Sequence, residues 1–181
     1  MTIEILECEQ GSEEWAQARL GIPTASCFAD VLSKGRGSEP SKTRATYMRK
    51  LVGEMLTRTP ADQFGGLHLE RGHVMEQEAR DLYSLLSDNE PQQIGFVRNV
   101  KPWGIVGASP DSVIGTDGLL EIKTKLPHLQ IALLLDGELP DEHIAQVQGQ
   151  IWVAERDWCD FISYWTGIKP FRLRVNRDDK Y

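Results

Sequence analysis

Residues 107–125 read GASPDSVIGTDGLLEIKTK. Apolar runs on either side of Gly115-Thr116-Asp117-Gly118 predict two strands joined by a turn, the first around residues 103–108 and the second around 118–124. That scaffold leaves two things unexplained: Asp111 straight after Ser109-Pro110, and the Glu121-Ile122-Lys123 end of the second run. Asp111 and Glu121 lie on neighbouring predicted strands, so their carboxylates can converge at one sheet edge. Two such groups repel unless a cation neutralises them. Mg²⁺ suits the task, because it takes a few carboxylates, keeps waters and binds phosphate oxygens. Lys123, two residues beyond Glu121, shares its strand face. Its ammonium can orient or deprotonate a water, or stabilise charge developing on phosphorus. Glu-x-Lys by itself reads as readily as a cross-strand ion pair, with Asp111 capping a turn. Leu119 and Leu120 mark an interior strand, where an idle carboxylate is costly, and this shifts the balance toward chemistry.

Outward from this stretch, Ser12 followed by Glu13 and Glu14 predicts a capped helix stopped by Gly21. A second helix is expected from Thr24 or Ser26 to Lys34, and a third over 43–57, followed by a loop from Pro60 to Gly66. Met75, Ala79, Leu82 and Leu86 fall at helical spacing within a fourth, His68 to Ser87. A strand over 93–100 precedes the two already named. Helices near 128–135 and over 141–156 follow, then strands over 161–165 and 171–175. This order predicts one α/β domain spanning residues 1–181, with a mixed central sheet flanked by helices. Glu76 and Glu78 flank the apolar stripe of the fourth helix about equally, so periodicity does not choose between them as a third acid. Gln146, Gln148 and Gln150 alternate along the 141–156 helix and so cannot share one face.

Composition is that of a globular protein, with 40% hydrophobic and 26% charged residues and a net charge of −7. The longest aliphatic run, Ile131 to Leu135, is too short for a bilayer, and the start MTIEILECEQ has no basic region of the signal-peptide kind. Cys8, Cys27 and Cys159 are scattered, which fits neither a disulfide framework nor a Cys-x-x-Cys site and leads us to expect a reducing, cytoplasmic setting. His68, His73, His128 and His143 show no ligand spacing, so no zinc site is expected. Against the acidic total, Lys34, Arg36, Lys42, Arg44, Arg49 and Lys50 form a basic stretch interrupted only by Glu39. The tail adds Lys169, Arg172, Arg174, Arg177 and Lys180. Such a distribution can make a local phosphate-binding surface, though a solvated helix face and tail read as well.

The stretches EEWAQARLGIPTAS, ERGHVMEQEAR, GASPDSVIG, LLEIKT and AQVQGQIW together resemble the lambda-exonuclease-like (YqaJ-like alkaline exonuclease) viral recombinase family, a branch of the PD-(D/E)xK nucleases. The resemblance implies a restriction-endonuclease-like core and a Mg²⁺-dependent 5′→3′ exodeoxyribonuclease acting on duplex DNA ends, with Mn²⁺ substituting. It also implies a homotrimer working beside a single-strand annealing protein; the short aliphatic runs lead us to expect no membrane association. Within that resemblance Asp111, Glu121 and the Ile122 carbonyl would hold the metal, Lys123 would serve the attacking water, and Glu76 would be the helix-borne acid. Gln146 would stand beside the site, and Gln148 is a weaker candidate for the DNA. Arg19, Ser26 and Arg36, with Thr24 at a helix start, would gather around the 5′-phosphate. Rival readings are a RecB-like or structure-specific nuclease of the same fold, and a non-catalytic DNA-end clamp or acidic DNA mimic. A Cas4-like nuclease usually holds an iron–sulfur cluster on four cysteines, which three scattered cysteines do not supply.

Overall fold

A computed structural model describes residues 2–37, 39–61 and 67–181, with backbone alone described for 67–73. The predicted loop after Pro60 therefore lies mostly outside the described residues, as do the side chains of His68 and His73. Among the described residues the strands form two sheets. One is antiparallel, in the order β1 (Thr2–Leu6), β2 (Phe96–Lys101), β3 (Gly104–Ala108). The other runs β4 (Ser112–Ile114), β5 (Gly118–Lys123), β6 (Trp158–Ser163), β7 (Phe171–Asn176), and is mixed because β5 and β6 are parallel. The helices are α1 (Glu13–Arg19), α2 (Phe28–Leu32) after a 3-10 turn at Ala25–Cys27, α3 (Lys42–Thr57), α4 (Leu67–Ser87), α5 (Pro127–Asp136) and α6 (Asp141–Ala154).

Local chemistry accounts for the boundaries. Ser12 Oγ accepts from Trp15 N–H at the start of α1, and Ser41 Oγ from Arg44 N–H at the start of α3. Pro127 opens α5, and Gly137 closes it with φ 71°. β5 is buried along nearly its whole length, as a strand paired in parallel and covered on both faces must be. Its alternate residues divide two cores. Leu119 joins Val147, Ile151 and Phe161 on the α6 side, while Leu120 and Ile122 pack with Ala79, Tyr83 and Ile162 on the α4 side. The four-stranded sheet is thus the middle layer between α6 and α4. α6 also packs on β2 and β3, which ties the two sheets together. Tyr83 Oη donates to Asp160 at 2.6 Å, and Arg174 grips the same carboxylate from β7, so the C-terminal part of α4 is locked to the sheet.

Two expectations need correction. The Ile-Val-Gly-Ala run does not pair across the Gly-Thr-Asp-Gly turn: it is β3, bonded to β2, and the hairpin partner of β5 is the three-residue β4. Pro110 separates the two, because its ring supplies no N–H to a continuing ladder, and its carbonyl accepts from Gln10 Nε2 at 2.9 Å instead of from a strand. The second helix is also shorter than predicted and begins as a 3-10 turn.

Candidate active site

Asp111 sits where the β4–β5 ladder ends. Its N–H donates to Leu120 O at 3.1 Å, and its Oδ2 accepts from Ile122 N at 2.5 Å. The side chain so takes the place of the backbone acceptor lost when the chain turns away at Pro110, and Oδ1 is left for another partner. Tyr164 N–H donates to Lys123 O, so the Lys123 carbonyl faces β6. By alternation the Ile122 carbonyl lies on the opposite edge, beside Asp111.

Glu121, 1% exposed, points to α6. Its Oε1 lies 2.5 Å from Lys123 Nζ and accepts from Gln146 Nε2 at 2.6 Å. Its Oε2 accepts from Gln150 Nε2 at 2.6 Å. A buried carboxylate with three donors is held in one orientation. Gln146 and Gln150 are four residues apart and share a helix face, which the sequence reading left unused for Gln150. Gln148 is turned the other way: its amide donates to Asn176 O and accepts from Asp178 N–H, fastening the tail. The expected role of Gln148 at the DNA does not fit this placement.

Glu76 reaches the group from α4 and lines the same cleft of about 1200 Å³ as Asp111. Glu78 instead accepts from Tyr164 Oη and Thr166 Oγ1. Of the two acids that flank the stripe, only Glu76 is therefore at the site. Its Oε1 accepts from Arg80 Nη2 at 2.9 Å.

Arg19 stacks on Trp15, 4.0 Å from the ring centroid, and donates to Ser109 Oγ at 3.0 Å. Trp15 Nε1 donates to the same hydroxyl, so α1 is anchored two residues before Asp111. Thr24 is buried, its N–H donates to Tyr47 Oη, and its hydroxyl lies 3.2 Å from that of the exposed Ser26. Arg36 occupies an exposed turn before Gly37, which has φ 64°.

Burial, then the charges of Glu121 and Glu76, push the Asp111 carboxyl well above the usual carboxylate range. Burial pulls the Lys123 ammonium down, but Glu121 and Asp111 outweigh it and hold the group above its usual value. Among the described residues no three His, Cys, Asp or Glu side chains close into a metal cage. The donor set at the end of β5 is two carboxylates and a peptide carbonyl, all hard oxygens. That set fits Mg²⁺, which binds through one or two carboxylates and keeps positions for water and phosphate.

A model of the YqaJ-like viral recombinase domain matches residues 14–157. The chain belongs to the YqaJ-like viral recombinase family. It is 34% identical to an alkaline exonuclease (LHK-Exo) from Laribacter hongkongensis, covering 93% of this chain and 84% of that one, with a TM-score of 0.80. The same enzyme in complex with dAMP superposes with a TM-score of 0.81. A phage-related exonuclease from Haemophilus somnus 129PT shares the fold at 12% identity and TM-score 0.61, over 88% of this chain and 86% of that one. Uncharacterized protein R354 of Acanthamoeba polyphaga mimivirus is 26% identical over 173 residues, 88% of this chain, and the chain spans 30% of that protein's length. The match to LHK-Exo assigns this YqaJ-like domain the PD-(D/E)xK fold. None of its described helices is long and apolar enough to cross a membrane.

One residue at the YqaJ-like site escaped the sequence reading because a lone histidine carries no signal there. His143, one turn before Gln146, packs against Phe161 with ring centroids 5.3 Å apart. Burial, then the nearby Lys125 and Lys123 ammonium groups, lower it to about 4. Its Nε2 is 3.2 Å from Glu142 Oε1 but off the hydrogen-bonding angle, and a neutral ring makes no ion pair there. Between about pH 6.5 and 4 the unfolded chain binds a proton that the folded chain refuses, so stability falls as pH is lowered through that window. At full development the loss is about 3 kcal/mol. His143→Phe keeps the ring contact and should lose less stability than wild type between pH 7.5 and 4.5. Urea denaturation at the two pH values checks this, and equal losses in both proteins refute it.

Proposed function

We propose that this domain is a Mg²⁺-dependent exodeoxyribonuclease that degrades one strand of duplex DNA from a 5′ end. The observation that carries the reading is the joint placement of Asp111, Glu121 and Lys123 at the end of β5. Family membership and the likeness to LHK-Exo support it, and a structure of that enzyme with dAMP agrees with a mononucleotide product. Action as a homotrimer beside a single-strand annealing protein, with Mn²⁺ able to replace Mg²⁺, belongs to the same proposal.

Asp111, Glu121 and the Ile122 carbonyl would hold the ion, which when bound supplies charge stabilisation at the scissile phosphate. Gln146 and Gln150 keep Glu121 from rotating away. Lys123 Nζ is cationic while the two carboxylates go uncompensated, and it then donates hydrogen bonds to water or to a phosphate oxygen. Once their charge is offset, burial is the main influence left on Lys123. It favours the neutral amine, and Nζ can then take the proton of the attacking water. Glu76, fixed by Arg80, adds a carboxylate on the far side of Asp111 that can orient water at the cleft.

The test is digestion of linear duplexes labelled at the 5′ or the 3′ end, with and without a 5′-phosphate, beside a mobility-shift assay. Nucleotide release from 5′ ends is the expected outcome. A shift without release would make the protein an end clamp. Wild type should degrade 5′-phosphorylated ends faster than 5′-hydroxyl ends, because a terminal phosphate offers an arginine fork more charge and more free oxygens. Arg19→Ala should slow the phosphorylated substrate by about 10–100-fold and the hydroxyl substrate much less. Equal slowing of both would reduce Arg19 to general backbone attraction.

A further inference from the structure

Arg80 is 5% exposed, while the other arginines whose side chains are described lie mostly at the surface. Its Nε donates to Ser112 Oγ at 3.0 Å, and its Nη1 to Gln77 Oε1 at 2.6 Å. Its Nη2 donates to Glu76 Oε1 at 2.9 Å and lies 3.4 Å from the Asp111 carbonyl. With the Gln93 amide oriented to satisfy its own hydrogen bonds, its oxygen accepts from both terminal nitrogens at 3.0 Å. Ser112 Oγ in turn donates to the Asp111 carbonyl at 2.6 Å. The planar fork thus reaches two side chains on its own helix, two residues at the start of β4 and the loop before β2. A lysine, with one nitrogen, cannot span these acceptors.

Tethering α4 to the sheet does not explain the charge. Tyr83, Ala79 and their apolar neighbours already pack the helix down, and Tyr83–Asp160 supplies a polar lock farther along. Replacing a buried ion pair by packed apolar groups is often neutral or stabilising, so this one has a reason beyond holding the helix. The reason visible at the site is that three carboxylates meet there, with Lys123 as the other cation. Arg80 is bonded to one of them, Glu76, and to the backbone of a second, Asp111. Ile122 N fixes the Asp111 side chain from one end, and Arg80 with Ser112 fixes its carbonyl from the other.

We propose that Arg80 is a positioning residue, its fork setting the Glu76 carboxylate and the Asp111 backbone in register with Glu121. The proposal rests on the metal-dependent reading of the site. Arg80→Lys keeps the charge and removes the fork, so it isolates position from electrostatics. Isothermal titration with Ca²⁺, which needs no turnover, should show Arg80→Lys binding five- to tenfold more weakly than wild type. In a Glu76→Gln background the same substitution should cost clearly less Ca²⁺ affinity than in wild type, because only the Asp111 backbone is then left for it to misplace. Affinity within twofold of wild type in the single variant, or the same loss in both backgrounds, overturns the proposal. If Arg80→Lys does not fold, Ser112→Ala removes both the acceptor of Nε and the donor to the Asp111 carbonyl, and should weaken Ca²⁺ binding in the same sense by about two- to threefold; an unchanged affinity there overturns it equally. Absence of nuclease activity in wild type that still binds Ca²⁺ would sink the function and leave this cycle readable. Absence of Ca²⁺ binding in wild type would sink both.

Discussion

Lys123→Ala is expected to lower turnover on linear duplex by about 10²–10⁴-fold while end binding in Ca²⁺ stays within a few fold of wild type. The reason is the position of Nζ, 2.5 Å from Glu121 Oε1 at the inner end of the site. A group that acts on charge or protons only in the transition state shows itself in kcat, and a phosphate anchor shows itself in binding. Proportional loss of binding and cleavage would assign Lys123 to the second role. Lys123→Arg separates two versions of the first. Arginine preserves the charge but does not lose its proton in a protein, so partial activity would mean electrostatic help, and none would mean that Nζ must become neutral. The alanine variant also leaves the buried Glu121 with amide donors alone, so its melting temperature has to be read beside its kinetics.

The placement of the β5 side chains was legible because a period of two is short and rigid. Glu121 and Lys123 fall on one face whatever the neighbours do, and Leu119-Leu120 said that the face is buried. Helical spacing was equally reliable for α4, and the helices read over 43–57, 128–135 and 141–156 are found as α3, α5 and α6. What failed was pairing. The Ile105-Val106-Gly107-Ala108 run is more apolar than Ser112-Val113-Ile114, so propensity preferred it as the hairpin arm, while Pro110 and the clamp from Gln10 decided otherwise. The choice between Glu76 and Glu78 was beyond periodicity for a similar reason. Both flank the same stripe, and only the sheet edge at Asp111 and the tyrosine at 164 distinguish them. Gln150 and Arg80 were within reach, since each stands four residues beyond a residue already singled out. Neither type announces itself at that spacing, because glutamine and arginine are ordinary on exposed helix faces. Arg36 lies in an exposed turn.

Asp111→Asn should abolish turnover, by about 10²–10³-fold or more, and at the same time raise the melting temperature measured in EDTA. The two effects have one cause. Burial, with Glu121 and Glu76 close by, pushes the Asp111 carboxyl well above the usual range in the folded chain. Above the ordinary carboxylate value the folded state therefore binds a proton that the unfolded state has released. Stability falls as pH rises through that window, and at alkaline pH the ionised Asp111 is a standing cost. Asparagine resembles the protonated acid in shape, and its oxygen can still accept from Ile122 N. The gain over wild type should be largest at alkaline pH and fade as pH is lowered toward 4, where wild type is protonated as well. Divalent metal reverses the order. An ion that binds only the folded state stabilises wild type by mass action, and the variant, having lost a ligand, gains little. Melting curves of both proteins at pH 5 and 8, each with EDTA and with Mg²⁺, should therefore cross: the variant higher in EDTA at pH 8, wild type higher in Mg²⁺. A variant that melts below wild type in EDTA at pH 8 would show that the charge-assisted strength of the Ile122 bond to an ionised carboxylate outweighs the repulsion. Asp111 would then be a strand cap first and a ligand second.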